Sequence, residues 1–439
     1  MKAAATMIDI TPPIGISLCG NIREDNIARG VHDPLYCNAL LLETGGVRTL
    51  LLVLDWLGVE DEDATLLRSL TAQAAGTLSE RVIVSATHTH SGPRILALSG
   101  PGGRSPGEEA YLRQATERIV SRVRELPESM EPVSLWRAQS QVNTLSFNRR
   151  LRLADGSVRM NWMPVDPDDV VGTTGPIDPA LTVVGIRRAG GDWLALIANF
   201  ALHAAVLVGQ DWLWSADYVY YLRKTLREAL PGNPVIHFTN GAEGDVNHLN
   251  YRDPRQMEGF PEAERIGTEL GFSALGALSG AVAMQGRLTC VTDTVILKRR
   301  TIPEGLLRWA RRKWERCGGK IPSLHHGIPD ECYARDILHM ARFAGREHAV
   351  PMTAMLLGDV AAVTLPGEIF CQIGLNIKKA SPIPNTFLMG LSQGYCGYIP
   401  DAKAFLEGGY EPRTRGGSRF AEDSCDRIEA AANALLMRL

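Results

Sequence analysis

The stretch VIVSATHTHSG at 82–92 decides how this chain is read. Val82, Ile83 and Val84 begin an apolar run that Ser91-Gly92-Pro93 closes, the mark of a buried strand ending in a turn. Side chains alternate across a strand, so residues two apart share a face. The spacing predicts that His88 and His90 point the same way at the strand's carboxyl end. Two imidazoles converging there can hold a transition metal. Core histidines that are merely hydrogen-bonded give the same pattern, so the rest of the chain must decide.

Working outward, four more apolar runs end in residues capable of chemistry. The run 193–202 ends at His203. The run 235–238 leads into TNGAEGDVNHLN, which carries Asp245. The run 360–365 leads to Pro366-Gly367-Glu368, and 386–391 to SQGYCGYIP with Tyr395 and Tyr398. Sheets of α/β proteins bind ligands outside the carboxyl ends of their strands. Imidazoles, a carboxylate and a phenol gathered there suit zinc, which takes N and O ligands and leaves a position open. Each has a plain structural reading. His203 could be a capped core residue, Glu368 an acid favoured at a helix start, and the tyrosines packing. Five such segments together favour a metal.

Strands are also expected at 38–43, 47–54 and 288–298. Helical periodicity covers 62–76, 108–125, 217–230, 263–284 and 422–437, with two helical runs inside 303–345 joined by CGGKIP. The fold class is therefore α/β, a mixed sheet flanked by helices. We expect one domain over 1–439 with a helical insertion at about 303–345. The Gly-, Pro- and Ser-rich stretch 99–107 has no phosphate-loop fingerprint and is expected to be a mobile loop beside the site.

Composition excludes several classes. Of 439 residues, 45% are hydrophobic and 22% charged, as in ordinary globular proteins. A net charge of −3 leaves no electrostatic footprint for nucleic acid. No segment has the length of a membrane span or the pattern of a signal peptide. The eight cysteines form no CxxC pair and read as reduced thiols of a cytoplasmic protein. A small-molecule substrate is expected, with homo-oligomerisation possible.

The same residues resemble a known family. ATHTHSGP at 86–93, IDITPP at 8–13, GVHDPL at 30–35, FNRR at 147–150, NFALH at 199–203, SADY at 215–218, NGAEGDVN at 240–247, PGE at 366–368 and GYCGYIP through EGGYE at 394–411 fall in the order seen in neutral/alkaline ceramidases. The resemblance spans nearly the whole chain and implies a zinc amidase. Carried over, the zinc ligands are His88, His203, Glu368 and Tyr398. His90 would stand beside the metal as a hydrogen-bonding partner, Arg149 and Tyr410 would face substrate or oxyanion, and Asp245 would orient an imidazole or accept a proton. Such a metal polarises a carbonyl and activates water, and neighbouring donors stabilise the oxyanion.

Two departures shape the expectation. In these ceramidases a serine follows the GDV element, whereas Asn247 stands here, so no hydroxyl nucleophile is available at that position. They also carry a carboxyl-terminal immunoglobulin-like domain, and this chain ends soon after the shared motifs. We therefore expect amide hydrolysis in a small, soluble, anionic molecule rather than a bilayer lipid. If the charged stretch RWARRKWER at 308–316 packs over the site, it lines the cleft with cations; the other reading is a subunit contact. The alternatives are an ester or lactone hydrolase with the same metal, a true ceramidase, a TIM-barrel amidohydrolase that also uses HxH at a strand end, and a non-catalytic zinc protein.

Overall fold

The computed structural model describes residues 1–20, 25–96, 103–207, 212–253, 255–321 and 328–439. Among these residues two stacked sheets form the centre. The larger runs in the order Val235–Asn240, Trp193–Phe200, Ala180–Arg188, Glu131–Gln141, Lys2–Asp9, Tyr36–Thr44, Val47–Leu54, Val82–Ala86, with Val282–Met284 also paired to Glu131–Gln141. The smaller runs Leu288–Lys298, Glu347–Leu357, Val360–Thr364, Asn385–Met389.

Most pairings within these two sheets are antiparallel, but three are parallel: Val47–Leu54 with Val82–Ala86, Trp193–Phe200 with Val235–Asn240, and Val360–Thr364 with Asn385–Met389. These strands are almost wholly buried, as their unbroken apolar runs require when both faces are covered. One face of the larger sheet packs on the helices Asp61–Ala75, Pro106–Val123, Tyr218–Ala229 and Gly259–Ser279. Its other face meets the smaller sheet through Leu40, Leu51, Ile83 and Ile197 on one side and Met355, Ala362, Phe387 and Met389 on the other. Cys371–Ala380 and Ser424–Leu436 cover the far side of the smaller sheet. The order is helices, sheet, sheet, helices. The expected α/β class with flanking helices is what forms, with two sheets where one was expected.

The ends of the larger sheet come together because it curls. Asn38 Nδ2 donates to the carbonyl of Ile236 at 2.9 Å, a contact between strands far apart in the sheet order. The carboxyl end of Asn385–Met389 then joins both edges. Gly390 N donates to Asn240 O at 2.8 Å, and Ala86 N donates to Leu391 O at 3.1 Å. Side chains reinforce the junction: Asn199 Nδ2 donates to Leu388 O at 2.6 Å, and Gln393 Nε2 to Val82 O at 3.1 Å.

Local chemistry sets the helix ends. Ser105 accepts from Glu108 N, and Glu108 returns a bond to Ser105 N, a capping box with Pro106 at the first position. Glu108 also takes both Arg94 nitrogens, at 2.9 and 2.7 Å, tying this helix to the segment after His90. Of the loop expected over 99–107, residues 99–102 lie outside the described residues, and 106–107 are already helical. The helix Asp61–Ala75 buries Ala64, Leu67, Thr71 and Ala72, whereas Leu66 is 54% exposed. The helix expected to reach 284 stops at Ser279, and 282–284 join the sheet. Glu304–Arg316 and Asp330–Met340 pair around Ala310, Tyr333 and Ile337; residue 322 of the joining CGGKIP lies outside the described residues.

Gly267 sits where Gly259–Ser279 crosses Tyr218–Ala229. A Cβ there would collide with the carbonyl of Tyr218 and lie 2.6 Å from Tyr221 Cβ. Gly276, on the same helix, has nothing within 4 Å. Helix propensity favours alanine at both by about 1 kcal/mol. We expect Gly276→Ala to raise the thermal midpoint and Gly267→Ala to lower it. Calorimetry on the two variants checks this, and a rise for both would show that the crossing yields without penalty.

Candidate metal centre

The strand carrying the histidines ends at Ala86, two residues before His88. Strand alternation therefore does not aim the two imidazoles, contrary to the expectation from spacing. His88 instead has φ +68, rare for a residue with a Cβ. That turn brings the His88 and His90 rings to 5.1 Å, edge to face. Backbone bonds hold both ends: His88 N donates to Trp56 O at 3.0 Å and His90 N to Ala204 O at 3.1 Å. His203 arrives just past Trp193–Phe200, fixed by Leu202 N donating to Asn240 Oδ1 at 3.1 Å.

The three imidazoles meet at one point. His203 Nε2 lies 3.1 Å from His88 Nε2 and 3.0 Å from His90 Nε2. Leu57 O accepts from His88 Nδ1 at 2.6 Å, which places a proton on that nitrogen and turns Nε2 toward the other two rings. Burial, with His88, Arg149 and His90 close by, pushes the His203 imidazole well below its ordinary pKa and keeps it neutral. Three imidazole nitrogens crowded this closely form a donor set for a bound cation.

Glu368 completes the cluster. It opens the two-residue strand Glu368–Ile369, whose parallel partner puts Tyr398 directly alongside. Its Oε2 lies 3.4 Å from His88 Nε2 and 3.9 Å from His203 Nε2, and is buried with no hydrogen-bond partner. Its Oε1 accepts from the Tyr395 hydroxyl. Burial pushes this carboxyl up, but His88 and the hydroxyls of Tyr395 and Tyr398 outweigh it and hold the group at about 2. An ionised, orphaned oxygen facing three imidazoles fits a divalent cation. His88, His90 and His203 meet the spacing for one metal ion, so His90, expected beside the ligands, stands as close to His203 as His88 does.

The other expected residues are placed less uniformly. Arg149 lies beneath the cluster, with Nη1 at 3.4 Å from His203 Nδ1, but its Nε donates to Glu411 at 2.8 Å and Nη2 to Gly244 O at 2.7 Å. Its charge reaches the site while these donors are engaged. Glu411 also takes Arg150 at 2.7 Å, forming a buried Arg–Glu–Arg set. Asp245 commits Oδ1 to Cys371 N at 2.7 Å and Oδ2 to Asn148 at 2.8 Å, with no imidazole among its bonds. It anchors the start of Cys371–Ala380. Burial raises its pKa to about 6 against those donors. Asn247 exchanges two 2.8 Å bonds with Asn161. Tyr410 is half-buried, its ring 5.7 Å from Tyr398 and 5.3 Å from Trp162.

Sequence reading missed Glu243. It is fully buried between Gly241 and Asp245, and neither oxygen has a hydrogen-bond partner. Burial and nearby Glu368 push its carboxyl well above the usual range, so it is neutral. An acid among the small residues of NGAEGDVN was the available signal. Of the arginines in 308–316, Arg308, Arg311, Arg312 and Arg316 are all exposed. Ala310 is the one buried position of that helix. The helix Asp330–Met340 does reach the segment after Glu411: Asp336 accepts from Gly416 N at 3.1 Å, and Tyr333 lies 3.5 Å under Arg413. Below the cluster, backbone packs on backbone. A Cβ on Gly244 would strike the carbonyl of Glu368, and one on Gly390 that of Gly241.

No family model matches this chain. The neutral ceramidase of Mycobacterium tuberculosis is 23% identical over 462 aligned residues, covering 90% of this chain and 70% of that protein. In three dimensions the chain is similar to the neutral ceramidase of Pseudomonas aeruginosa, with a TM-score of 0.72 at 18% identity. It is also similar to a ceramidase complexed with C2, with a TM-score of 0.74 at 18% identity. Each match takes in all of this chain and 75% of the other. The likeness first carried by THTHSGP and its companion motifs is thus matched in sequence and in architecture: the chain is a homologue of neutral ceramidases and has their fold.

Proposed function

We propose that this protein is a zinc-dependent hydrolase cleaving a carboxylic amide in a small soluble molecule. The observation carrying this is the orphaned, ionised Glu368 oxygen facing three converging imidazoles. His88, His203, Glu368 and Tyr398 would hold the zinc. Bound there, it supplies Lewis acidity for a carbonyl and makes water acidic enough to attack near neutral pH.

The chain's own groups do the rest. Leu57 O fixes the His88 tautomer, and the Tyr395 hydroxyl fixes the carboxylate. Arg149 adds a positive charge that favours an oxyanion without leaving its Glu411 and Gly244 partners. His90 is the half-exposed imidazole of the three, so substrate reaches it first. It would donate to or accept from the reacting carbonyl, with the Tyr410 hydroxyl a second donor on the open side. Asn247 offers no nucleophile, and its amide is committed to Asn161. The preference for an amide over an ester rests on the homology to ceramidases.

Elemental analysis of protein purified without added metal should find one zinc per chain. Stoichiometric zinc surviving His88→Ala and His203→Ala together would remove the assignment. In the same assay His90→Ala should keep its zinc yet lose turnover by at least about a hundredfold, whereas loss of zinc would make His90 a ligand. Asn247→Ala should retain far more activity than His88→Ala, which removes the Lewis acid itself. Rates on N-acyl amino acids beside a fluorescent short-chain ceramide compare the two. Equal losses would give position 247 a direct part in the chemistry.

A further inference from the structure

Arg415 stands apart from the other arginines around the centre. Arg149 and Arg150 pair with Glu411, Arg152 with Glu407, and Arg419 with the carbonyls of Tyr395 and Gly416. Arg415 has no ion pair among the described residues, and its Nε is buried without a hydrogen-bond partner. Its guanidinium rests on two site tyrosines instead, 4.2 Å from the Tyr410 ring centre and 5.3 Å from that of Tyr398. A half-buried guanidinium normally finds a carboxylate, because its fork matches the two oxygens. Here the protein supplies aromatic faces, which orient the cation and leave its hydrogens available.

The segment carrying it is held firmly. Ser418 N donates to Arg415 O at 2.8 Å, and Arg300 donates to Pro412 O at 2.6 Å and to Ser418 Oγ at 2.7 Å. The inserted helix Asp330–Met340 supports it from outside, through Asp336 accepting from Gly416 N and Asp330 accepting from Arg413 at 2.8 Å. A pre-positioned cation loses little freedom on binding an anion. It flanks Tyr398, whose neighbour in the sheet register is Glu368.

We propose that Arg415 receives a carboxylate of the substrate, so that the molecule cleaved at the centre is an amide bearing a carboxylate, of the N-acyl amino acid kind. This rests on the hydrolase reading above and explains the helical insertion, which braces the segment that selects the substrate. The cation comes from the braced loop, not from the arginines of the insertion itself.

The test uses zinc-loaded protein and matched pairs of an N-acyl amino acid and its methyl ester. Calorimetric binding and the rate of amide cleavage are both measured. The acid should be favoured over its ester in binding by about tenfold to a hundredfold. Arg415→Gln should collapse that ratio, acting on KM more than on kcat, with zinc content equal to the parent. Arg415→Lys, which keeps the charge but loses the fork, should restore part of it and guards against misfolding. Matched sulfonates and phosphates should bind less well than the carboxylate. Cleavage with no acid preference, or a preference that survives Arg415→Gln, overturns the inference and leaves the hydrolase standing. Arg415-dependent binding without cleavage supports the anion site and sinks the hydrolase reading. Absence of binding by any acid overturns the inference outright.

Discussion

The junction where Asn385–Met389 ends between the two edges of the curled sheet is the constraint on which the rest depends. Gly390 N to Asn240 O and Ala86 N to Leu391 O are ordinary backbone bonds, but they bind three separate chain segments at one place. Buried backbone groups must be paired, and here the partners come from strands widely separated along the chain. The histidine segment follows Ala86, the acid-bearing loop follows Asn240, and the tyrosines follow Leu391. Closing the sheets therefore brings together the segments that carry the centre, and the turn at His88 then aims its imidazole.

Charge is arranged around that junction in a matching way. Glu411 is shared by Arg149 and Arg150, all three fully or nearly buried. Breaking such a set by removing one member strands the others and costs several kcal/mol, about 3–5. One excess positive charge is thereby held under His203, whose neutral ring is kept so in part by the same arginine. Glu368 supplies the opposing charge, and Glu243 beside it stays neutral. Two acids close together in one dry site are driven apart in ionisation in just this way.

Much of the frame was legible in the sequence, for reasons that also explain the gaps. The strands Val47–Leu54 and Leu288–Lys298 fall on the expected bounds because turn residues punctuate them. Glu131–Gln141 mixes buried and exposed positions with polar residues outward, a weaker signal that passed unread. A strand buried on both faces reads the same whether a helix or a second sheet covers it, so the stacking of the two sheets had no sequence signature. The members of the centre were legible because each follows an apolar run. Asp245 satisfied the same rule for a different purpose, capping the segment at Cys371. Arg415 lies far from any strand end, and what singles it out is the lack of an ion-pair partner among the described residues, which only three dimensions reveal.

The glycines beneath the centre divide the site into a part that can change and a part that cannot. Gly244 against the Glu368 carbonyl and Gly390 against that of Gly241 leave no room for even a methyl group. A side chain at either position would have to push that backbone aside. Diversity in this architecture must therefore be written from above, on Trp162, Tyr410, Arg415 and the helices that brace them. A laboratory library aimed at new substrates would find its tolerated positions there, and an inherited one would have drifted there first.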